Sequence, residues 1–294
     1  MRANEDRRGI VLVTVLWAIV LLSALAMAAA TTFRGYAGVM AVERDAVRAQ
    51  GLIDAGLEVA AGIAWTSDRP MRDFRTTLAL PAGSVALRLD DEGGRIDLNK
   101  APMPVLSSLL RSVGAAQPEA LAQHIVDQRR PPEGAPPAGT SAAKDNPEQK
   151  EDAPFTDVRQ LARIPGMQPE WITALRPLVT VFGDKTINPL TAPAAVLAAL
   201  PGVDPARLDA FLETRRRDPT DAKRLAGLLG AAVEDYLGER TQQTLSVRIR
   251  ATLPDGYGAG ARAVIVLLSG DREPYRVLAW DGARAPADET GSRP

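Results

Sequence analysis

The apolar stretch Arg7–Arg34, "RRGIVLVTVLWAIVLLSALAMAAATTFR", decides how the N-terminal part of this chain folds. Residues 10–32 contain no charged residue and no proline. A helix that rises about 1.5 Å per residue is therefore long enough here to cross a hydrocarbon layer of ~30 Å. Arg2, Arg7 and Arg8 precede the uncharged residues 10–32, and positive flanks stay on the cytoplasmic side. The stretch predicts a transmembrane helix over residues 10–32, with the N-terminus in the cytoplasm.

Three interpretations of this stretch are open. The segment "SALAMAAA" has the small residues that a signal peptidase needs, which favours an exported soluble protein. A plain membrane anchor with an unrelated outer domain is the second interpretation. The third depends on Gly9, which ends the charged leader and directly precedes the apolar run. This arrangement resembles the leader of type IV pilin-like proteins, which prepilin peptidase cuts after the glycine; residues 1–9 would then be the leader, and Ile10 the first mature residue.

The pattern after the apolar run predicts that the helix continues to about residue 65. No proline occurs before Pro70. Small and apolar residues recur at alternating spacings of three and four, which is one face of an amphipathic helix. Such a face permits close approach of another helix, or packing on the chain's own domain. Its members are Val39, Val42, Ala46, Ala49, Ile53, Gly56, Ala60 and Ile63.

Composition excludes several classes of function. The chain has 294 residues, a formal net charge of -1 and no cysteine, so it has no overall basic field for nucleic acid and no disulfide or thiol chemistry. With His124 as its single histidine and no G-x-S-x-G motif, most nucleophilic triads and histidine-rich zinc sites are excluded. We therefore expect a protein that is not an enzyme and requires no cofactor, although a catalytic carboxylate pair cannot be located from sequence.

Strand patterns lie on both sides of a helical region. Residues 66–99 form the first part of a sheet, in which "SVALRLDDEGGRIDLN" predicts a hairpin around Gly93 and Gly94. Residues 241–294 supply the C-terminal strands "TLSVRIRATL", "ARAVIVLLSG" and "YRVLAWDG". Between them, residues 100–240 are an inserted α-helical domain, interrupted by a proline-rich, disordered loop at 131–154. The prediction is an α+β fold: a long N-terminal helix (residues 10–65) on a small antiparallel sheet, with an all-α domain of helix hairpins inserted between strands.

The inserted region contains internal repeats. The segments "IDLNKAPMPVLSSL" from Ile96 and "INPLTAPAAVLAAL" from Ile187 match at an isoleucine, an Ala-Pro pair and a Val-Leu pair. A second pair is "LARIPGMQPEWITAL" from Leu161 and "LAALPGVDPARLDAF" from Leu197. Pro-Gly ends one helix and the following proline begins the next. These segments predict helix-turn-helix hairpins.

Helix hairpins with a Pro-Gly-apolar turn resemble the helix-hairpin-helix of DNA-binding proteins, so a membrane-anchored DNA-binding protein is the alternative function. DNA binders usually carry a second glycine in this turn, where Gln168 and Asp204 stand here. Asp204 would oppose a phosphate and is better explained as the N-cap before Pro205. The basic run at 215–217 also suits a helix C-terminus. We expect no nucleic-acid partner.

Taken together, the sequence is similar to a known family. The glycine-ended leader, the long helix, "DDEGGRIDLNKAP", "INPLTAPAAVLAALPG" and the closing strands resemble minor pseudopilin K of type II secretion systems (general secretion pathway protein K). The resemblance implies a pilin-like fold, prepilin peptidase processing with methylation of Ile10, a single pass through the inner membrane and a periplasmic C-terminal domain. It also implies a place at the pseudopilus tip, with minor pseudopilins I and J and also H as partners, where the protein initiates assembly and supports export of folded proteins across the outer membrane.

The resemblance gives one N-terminal residue a role. Most pilin-like proteins have glutamate as the fifth mature residue, paired with the N-terminal amine of the subunit ahead. Counted from Ile10, the fifth residue here is Thr14. A first subunit has no amine ahead of it, and an unpaired carboxylate in lipid is costly. Threonine therefore suits a tip subunit, or it is a tolerated substitution in an ordinary anchor.

The resemblance also suggests a structural calcium ion. Members of the family bind calcium in the pilin-like part, and Asp90, Asp91 and Glu92 in a glycine turn offer the hard oxygen ligands that calcium prefers. Solvation of these carboxylates is the simpler alternative, and Asp255 in "PDGYGAG" could contribute instead.

Overall fold

The structure is a computed structural model that describes residues 5–67, 70–129, 154–238, 243–268 and 273–283. In the first helix, side chains are described at 14–27 and from Met40 onward. Residues 1–4 of the expected leader lie outside the described residues, as does the expected loop 131–154 except for Pro154.

The first helix, α1, runs from Glu5 to Thr66, as the unbroken pattern predicts. Within the described part of the chain, no helix is long and apolar enough for a membrane crossing. The transmembrane segment at 10–32 stays a prediction.

Five strands form an antiparallel sheet in the order β1-β2-β5-β6-β7. The three C-terminal strands are those that the sequence predicts, whereas β1 was not predicted. A short parallel pair, β3 and β4, belongs to the inserted region. The strands are β1 Phe74–Leu80, β2 Gly83–Asp91, β3 Ile96–Asp97, β4 Val179–Thr180, β5 Thr244–Thr252, β6 Gly258–Leu267 and β7 Tyr275–Ala283.

The expected hairpin around Gly93 and Gly94 is wrong. The hairpin of this region joins β1 to β2, with Leu80 opposite Gly83. After Asp91 the chain forms a 3₁₀ turn, Glu92–Gly94, because the Asp91 carboxylate accepts a hydrogen bond from the Gly93 amide. The Gly93 carbonyl in turn accepts from the Asn188 amide of the insertion. The backbone bonds that a returning strand would use are thus made with the insertion.

Helix α1 packs on one face of the sheet through the second half of its small-residue stripe. Ala49, Ile53 and Ala60 are at most 2 % exposed and belong to one apolar core with the inward side chains of β2, β5 and β6. Gly56 is also buried there. The Trp65 indole donates to the Pro274 carbonyl at 3.0 Å. Packing on its own sheet therefore accounts for this half of the stripe.

The insertion is helical and has its own apolar core. It leaves the sheet after β2 and returns at β5, so the predicted combination of helix and antiparallel sheet is confirmed. Its α-helices are α2 Met103–Ser112, α3 Pro118–Gln128, α4 Pro169–Leu175, α5 Ala194–Ala198, α6 Pro205–Arg217, α7 Ala222–Leu229 and α8 Ala231–Glu234. A 3₁₀ helix, Val158–Arg163, precedes α4.

The two Ala-Pro repeats fold with equivalent hydrogen bonds. The Ala101 amide donates to the Asp97 carbonyl, and the Ala192 amide donates to the Asn188 carbonyl in the same way. Each repeat is also held by one arginine that donates to two backbone carbonyls: Arg129 to Leu98 and Ala101, and Arg215 to Pro189 and Ala192. The sequence repeat is therefore a structural repeat.

Candidate functional site

Residues 91–97, which connect β2 to the insertion, form a tightly packed segment that we call the junction. A Cβ atom on Gly94 would lie 2.7 Å from the carbonyl carbon of Thr191 and 2.8 Å from the Ala192 amide nitrogen. These backbone atoms cannot move aside easily, so the second Ala-Pro repeat approaches the junction only because residue 94 has no side chain. The junction brings together residues of the two repeats and of the sheet.

Asp91 is the main polar contact of the junction. Its carboxylate accepts from the Thr191 hydroxyl at 2.7 Å, from the Asn188 amide side chain at 3.1 Å and from the Gly93 amide at 2.9 Å. The side chain is buried, so these donors replace the water that a carboxylate requires. Asp91, the last residue of β2, therefore connects this strand to the second repeat.

Glu92 makes the electrostatic contact between the junction and the sheet. The residue is 1 % exposed, and its carboxylate lies 2.7 Å from Arg95 and 3.7 Å from Arg262 of β6. A buried carboxylate is tolerated when cations of this kind neutralise it. The pair with Arg262 crosses from the start of the insertion to the sheet.

Asp97 was not predicted as a site residue, although it organises the start of the first repeat. One carboxylate oxygen accepts from the Asn99 and Lys100 amides at 2.6 and 3.1 Å, and the other accepts from the Gly183 amide at 2.6 Å. Burial raises the pKa of Asp97 above its ordinary value, while the amide hydrogen bonds act in the opposite direction. The "DLN" sequence is compatible with such a local turn, but Gly183, 86 positions away, has no signal in it.

The three carboxylates proposed for calcium do not share a centre. Asp90 accepts from the Asp73 amide and from Arg88 on the outside of the sheet, while Asp91 and Glu92 have the separate partners described above. In the described ranges, no group of three His, Cys, Asp or Glu residues is arranged to hold a metal. Asp255 accepts from the Tyr257 amide in the β5–β6 turn, at the opposite end of β5. This geometry does not fit a calcium ion shared by 90–92, and calcium binding stays a prediction from the family resemblance.

A cleft of about 190 Å³ lies between the insertion and the outer face of the sheet. The insertion side carries the 3₁₀ helix, where Asp157 caps the amide of Arg159 and also pairs with its guanidinium at 2.7 Å. The hydrogen bond from Arg159 holds the pKa of Asp157 below its ordinary value. The sheet side carries Arg262, Trp280 and Asp281. The cleft is the visible boundary between the two parts of the molecule.

The other predicted site residues lie apart from the junction. Gly9 and Ile10 are in α1, and their side chains are outside the described set. Thr14 is in α1 with an exposed side chain. His124 is exposed on α3, as expected for a solvent-facing residue. Processing at residues 9 and 10 and the role of Thr14 remain predictions.

The residues considered for DNA contact have structural partners. The Asp204 side chain accepts from the Ala206 amide at 2.8 Å, which is the expected N-cap. Arg215 is 3 % exposed, and burial lowers its pKa to about 10. Arg216 and Arg217 both pair with Glu213. The basic run therefore does not present three free cations on one face.

Two comparisons with known proteins agree with the resemblance found in the sequence. The family model described as type II secretion system (T2SS), protein K, matches residues 86–184. A chain in the crystal structure of the GspK-GspI-GspJ complex of the enterotoxigenic Escherichia coli type 2 secretion system matches with a TM-score of 0.60 and 16 % sequence identity. The match covers 84 % of this chain and 99 % of that chain. No curated protein sequence matches significantly. These findings confirm the resemblance to protein K in the matched segment and in the fold.

Proposed function

We propose that this chain is the protein K subunit of a type II secretion system, on the premise that its fold and its central segment are similar to those of that protein. The observation that carries the proposal is the junction at 91–97, through which a helical insertion enters an antiparallel sheet. The family match at 86–184 contains this junction, and the structural match extends over almost all of the related chain. The role is structural, and the expected absence of catalysis and of a required cofactor is part of the proposal.

We propose minor pseudopilins I and J, and also H, as partners. The related chain was crystallised in a complex with GspI and GspJ. Here the edge strand β7 exposes three large apolar side chains, since Val277, Leu278 and Trp280 are 41–43 % exposed. Apolar side chains on a strand that pairs along only one edge, as β7 does among the described residues, are suited to burial by a partner. This patch supports an association of the globular parts of the subunits.

The proposed position is the tip of the pseudopilus. Prepilin peptidase would cut after Gly9, leave a methylated Ile10 and retain residues 10–32 in the inner membrane, with the C-terminal domain in the periplasm. Thr14 supports a leading position, because a subunit without a neighbour ahead has no amine to neutralise a carboxylate. The insertion supports it as well, because its bulk beside the sheet would obstruct a subunit stacked above. From this position the protein initiates assembly and supports export of folded proteins across the outer membrane.

The test combines the mature N-terminus with reconstitution of the complex. Mass spectrometry of the protein from native membranes is expected to find Ile10 as the first residue, and Gly9→Leu is expected to retain the leader. The full chain in neutral detergent is expected to form a complex with minor pseudopilins I and J of the same organism, measured by light scattering after gel filtration. An N-terminus near residue 30, or no complex at micromolar concentrations, would contradict the proposal.

A further inference from the structure

Four arginines lie side by side across the sheet. The strand register places Arg75 opposite Arg88, Arg88 opposite Arg248, and Arg248 opposite Arg262. Asp281 of β7 stands opposite Arg262 and ends the row. Their neighbours in sequence, such as Leu87 and Ile249, are buried under α1, so alternation along each strand directs the arginines to the opposite face. We call residues 75, 88, 248 and 262 the arginine row.

The row is only partly neutralised by the described residues. Asp73 pairs with Arg75 at 2.9 Å and with Arg88 at 2.8 Å, Asp90 also pairs with Arg88 at 3.2 Å, and Glu92 lies 3.7 Å from Arg262. No described carboxylate forms an ion pair with Arg248 at the centre of the row. Burial, followed by repulsion from Arg262 and Arg88, lowers the pKa of Arg248. Like charges directly opposite in a sheet are destabilising, so Arg248, which stands between Arg88 and Arg262, costs folding free energy that a neutral side chain would avoid.

A trough runs beside the row; it is lined by the small residues Thr77, Ala86 and Gly260, with Arg250 among them. In the next register position, Thr77 faces Ala86, Ala86 faces Arg250, and Arg250 faces Gly260. Arg250 is exposed and has no ion-pair partner among the described residues. The trough and the row together line an open groove of about 830 Å³. An elongated ligand that lies across the strands would meet two guanidinium groups, those of Arg248 and Arg250, that have no ion-pair partner among the described residues, flanked by three that share the carboxylates of Asp73, Asp90 and Glu92.

The spacing of the arginines selects the shape of that ligand. Neighbouring strands are about 4.8 Å apart, so three steps along the row span roughly 14 Å. Side chains at successive three- or four-residue steps on a helix are about 5–6 Å apart, which matches the row. Alternate side chains of an extended chain are about 6.7 Å apart and overshoot it by roughly 6 Å over three steps. The geometry favours carboxylates on one face of a helix.

We propose that the arginine row and its trough are a docking surface for an acidic α-helix of a partner protein. The ligand chemistry is a line of three or four Asp or Glu side chains at helical spacing, and a guanidinium can hold a carboxylate through two parallel hydrogen bonds. The site lies on the sheet face away from α1, and at its β7 end Arg262 and Asp281 also line the cleft that contains Trp280. Binding of an acidic helix at this site does not require that the chain acts in secretion.

The probe is a synthetic alanine-rich helical peptide with four glutamates along one face. Its matched control has the same composition with the glutamates distributed around the helix. Binding to the full chain in neutral detergent is measured by fluorescence anisotropy at low and physiological salt. The one-sided peptide is expected to bind several-fold more tightly, with an affinity that falls as salt rises, because exposed charges are screened.

Variants locate the binding on the row. Arg248→Gln and Arg250→Gln are each expected to lower affinity roughly two- to fivefold, the range of a single exposed ion pair. The control Arg163→Gln removes an exposed arginine of the insertion and is expected to leave affinity unchanged. Arg248→Gln is also expected to melt no lower than the unsubstituted protein, because it removes like-charge contacts. Arg250→Gln tests the same surface without altering the row itself.

Three results would overturn the proposal. The first is equal binding of the two peptides, which would show that binding depends on the net charge of the peptide and not on the placement of its glutamates. The second is an equal effect of Arg163→Gln and Arg248→Gln, which would place the binding elsewhere. The third is tight binding of inorganic polyphosphate that Arg248→Gln abolishes while neither peptide binds, which would assign the groove to phosphate groups.

Discussion

At the scale of single residues, the junction depends on carboxylates with several donors each. Asp91 accepts from a hydroxyl, a side-chain amide and a backbone amide while buried. Its loss leaves the buried Thr191 hydroxyl and Gly93 amide without a partner, and an unsatisfied buried donor costs more than the hydrogen bond itself contributed. The junction is therefore sensitive to one carboxylate in a way that an exposed turn is not.

We expect Asp91→Ala to lower the free energy of unfolding by about 2–4 kcal/mol, because it leaves at least the Thr191 hydroxyl and the Gly93 amide unsatisfied. The measurement is guanidinium unfolding of the full chain in neutral detergent. The control is Asp255→Ala, which removes an exposed aspartate bonded to its own turn and is expected to cost less than about 1 kcal/mol. Equal costs for the two variants would show that the junction contacts contribute little.

Tyr275 provides a prediction about pH. Its hydroxyl donates to Glu58 of α1 at 2.9 Å, and burial, then this hydrogen bond, raises its pKa to about 12. In the unfolded chain the phenol ionises near pH 10. Between these values the unfolded state holds fewer protons, so stability falls as pH rises from about 10 to 12. Titration of tyrosinate absorbance is expected to show a phase near pH 12 that Tyr275→Phe removes; an unchanged titration in this variant would contradict the assignment.

Residue types could be predicted better than their partners. Acidic residues in a glycine turn suggested a shared ion, yet Asp91 finds Asn188 and Thr191 at 97 and 100 positions along the chain. Those partners are placed by the fold of the insertion, which no local pattern encodes. Asp204, by contrast, bonds two residues ahead, so its role as an N-cap was visible in the sequence.

At the scale of elements, α1 approaches the sheet closely at one glycine. A Cβ on Gly56 would lie 2.8 Å from Val85 and 3.0 Å from Ile249, whereas a Cβ on Gly62 of the same helix meets nothing within 4 Å. β-branched side chains are stiff, so the sheet cannot easily yield at Gly56. The same substitution should therefore have opposite effects at the two positions.

We expect Gly62→Ala to raise the free energy of unfolding by about 0.5–1 kcal/mol, since alanine is the better helix former. Gly56→Ala is expected to lower it by about 1–3 kcal/mol through overpacking. Both values come from guanidinium unfolding of the full chain, and each variant is the control for the other. A stabilising Gly56→Ala would mean that α1 lies further from the sheet.

The elements with local signals were the predictable ones. The helix hairpins could be predicted from their Pro-Gly turns. Gly166 and Gly202 adopt the positive φ of 82° and 84° that such turns need. The three C-terminal strands alternate clearly. β1 was missed although its half-buried positions alternate with exposed ones and Phe74, Leu78 and Leu80 pack on the core under α1; the alternation is short and is interrupted by Thr76 on the same face. The false hairpin at 93–94 has turn residues, but the strand that follows, β3, pairs with β4 of the insertion and not with β2.

At the scale of the whole molecule, the proposed leading position makes Thr14 a critical residue. We expect Thr14→Glu to reduce secretion of a native folded substrate into the medium, because a carboxylate within the bilayer costs about 2.5–3.5 kcal/mol without a partner. Thr14→Val, the matched control, is expected to retain secretion. The measurement compares secreted substrate at equal levels of the membrane-bound variants. Full secretion with Thr14→Glu would contradict a leading position.

The insertion leaves and re-enters the sheet at adjacent points, since Asp91 of β2 stands opposite Leu245 of β5. Joining two antiparallel neighbours requires only a tight turn, whatever the length of chain that now connects them. Entropy of closure grows only with the logarithm of loop length, and a segment that folds around its own core holds its two ends together. We therefore expect the helical insertion to be separable from the sheet. Excision with a two-residue link should leave a five-stranded remnant in its present register, and transplantation into another hairpin should need no change in the recipient's strands.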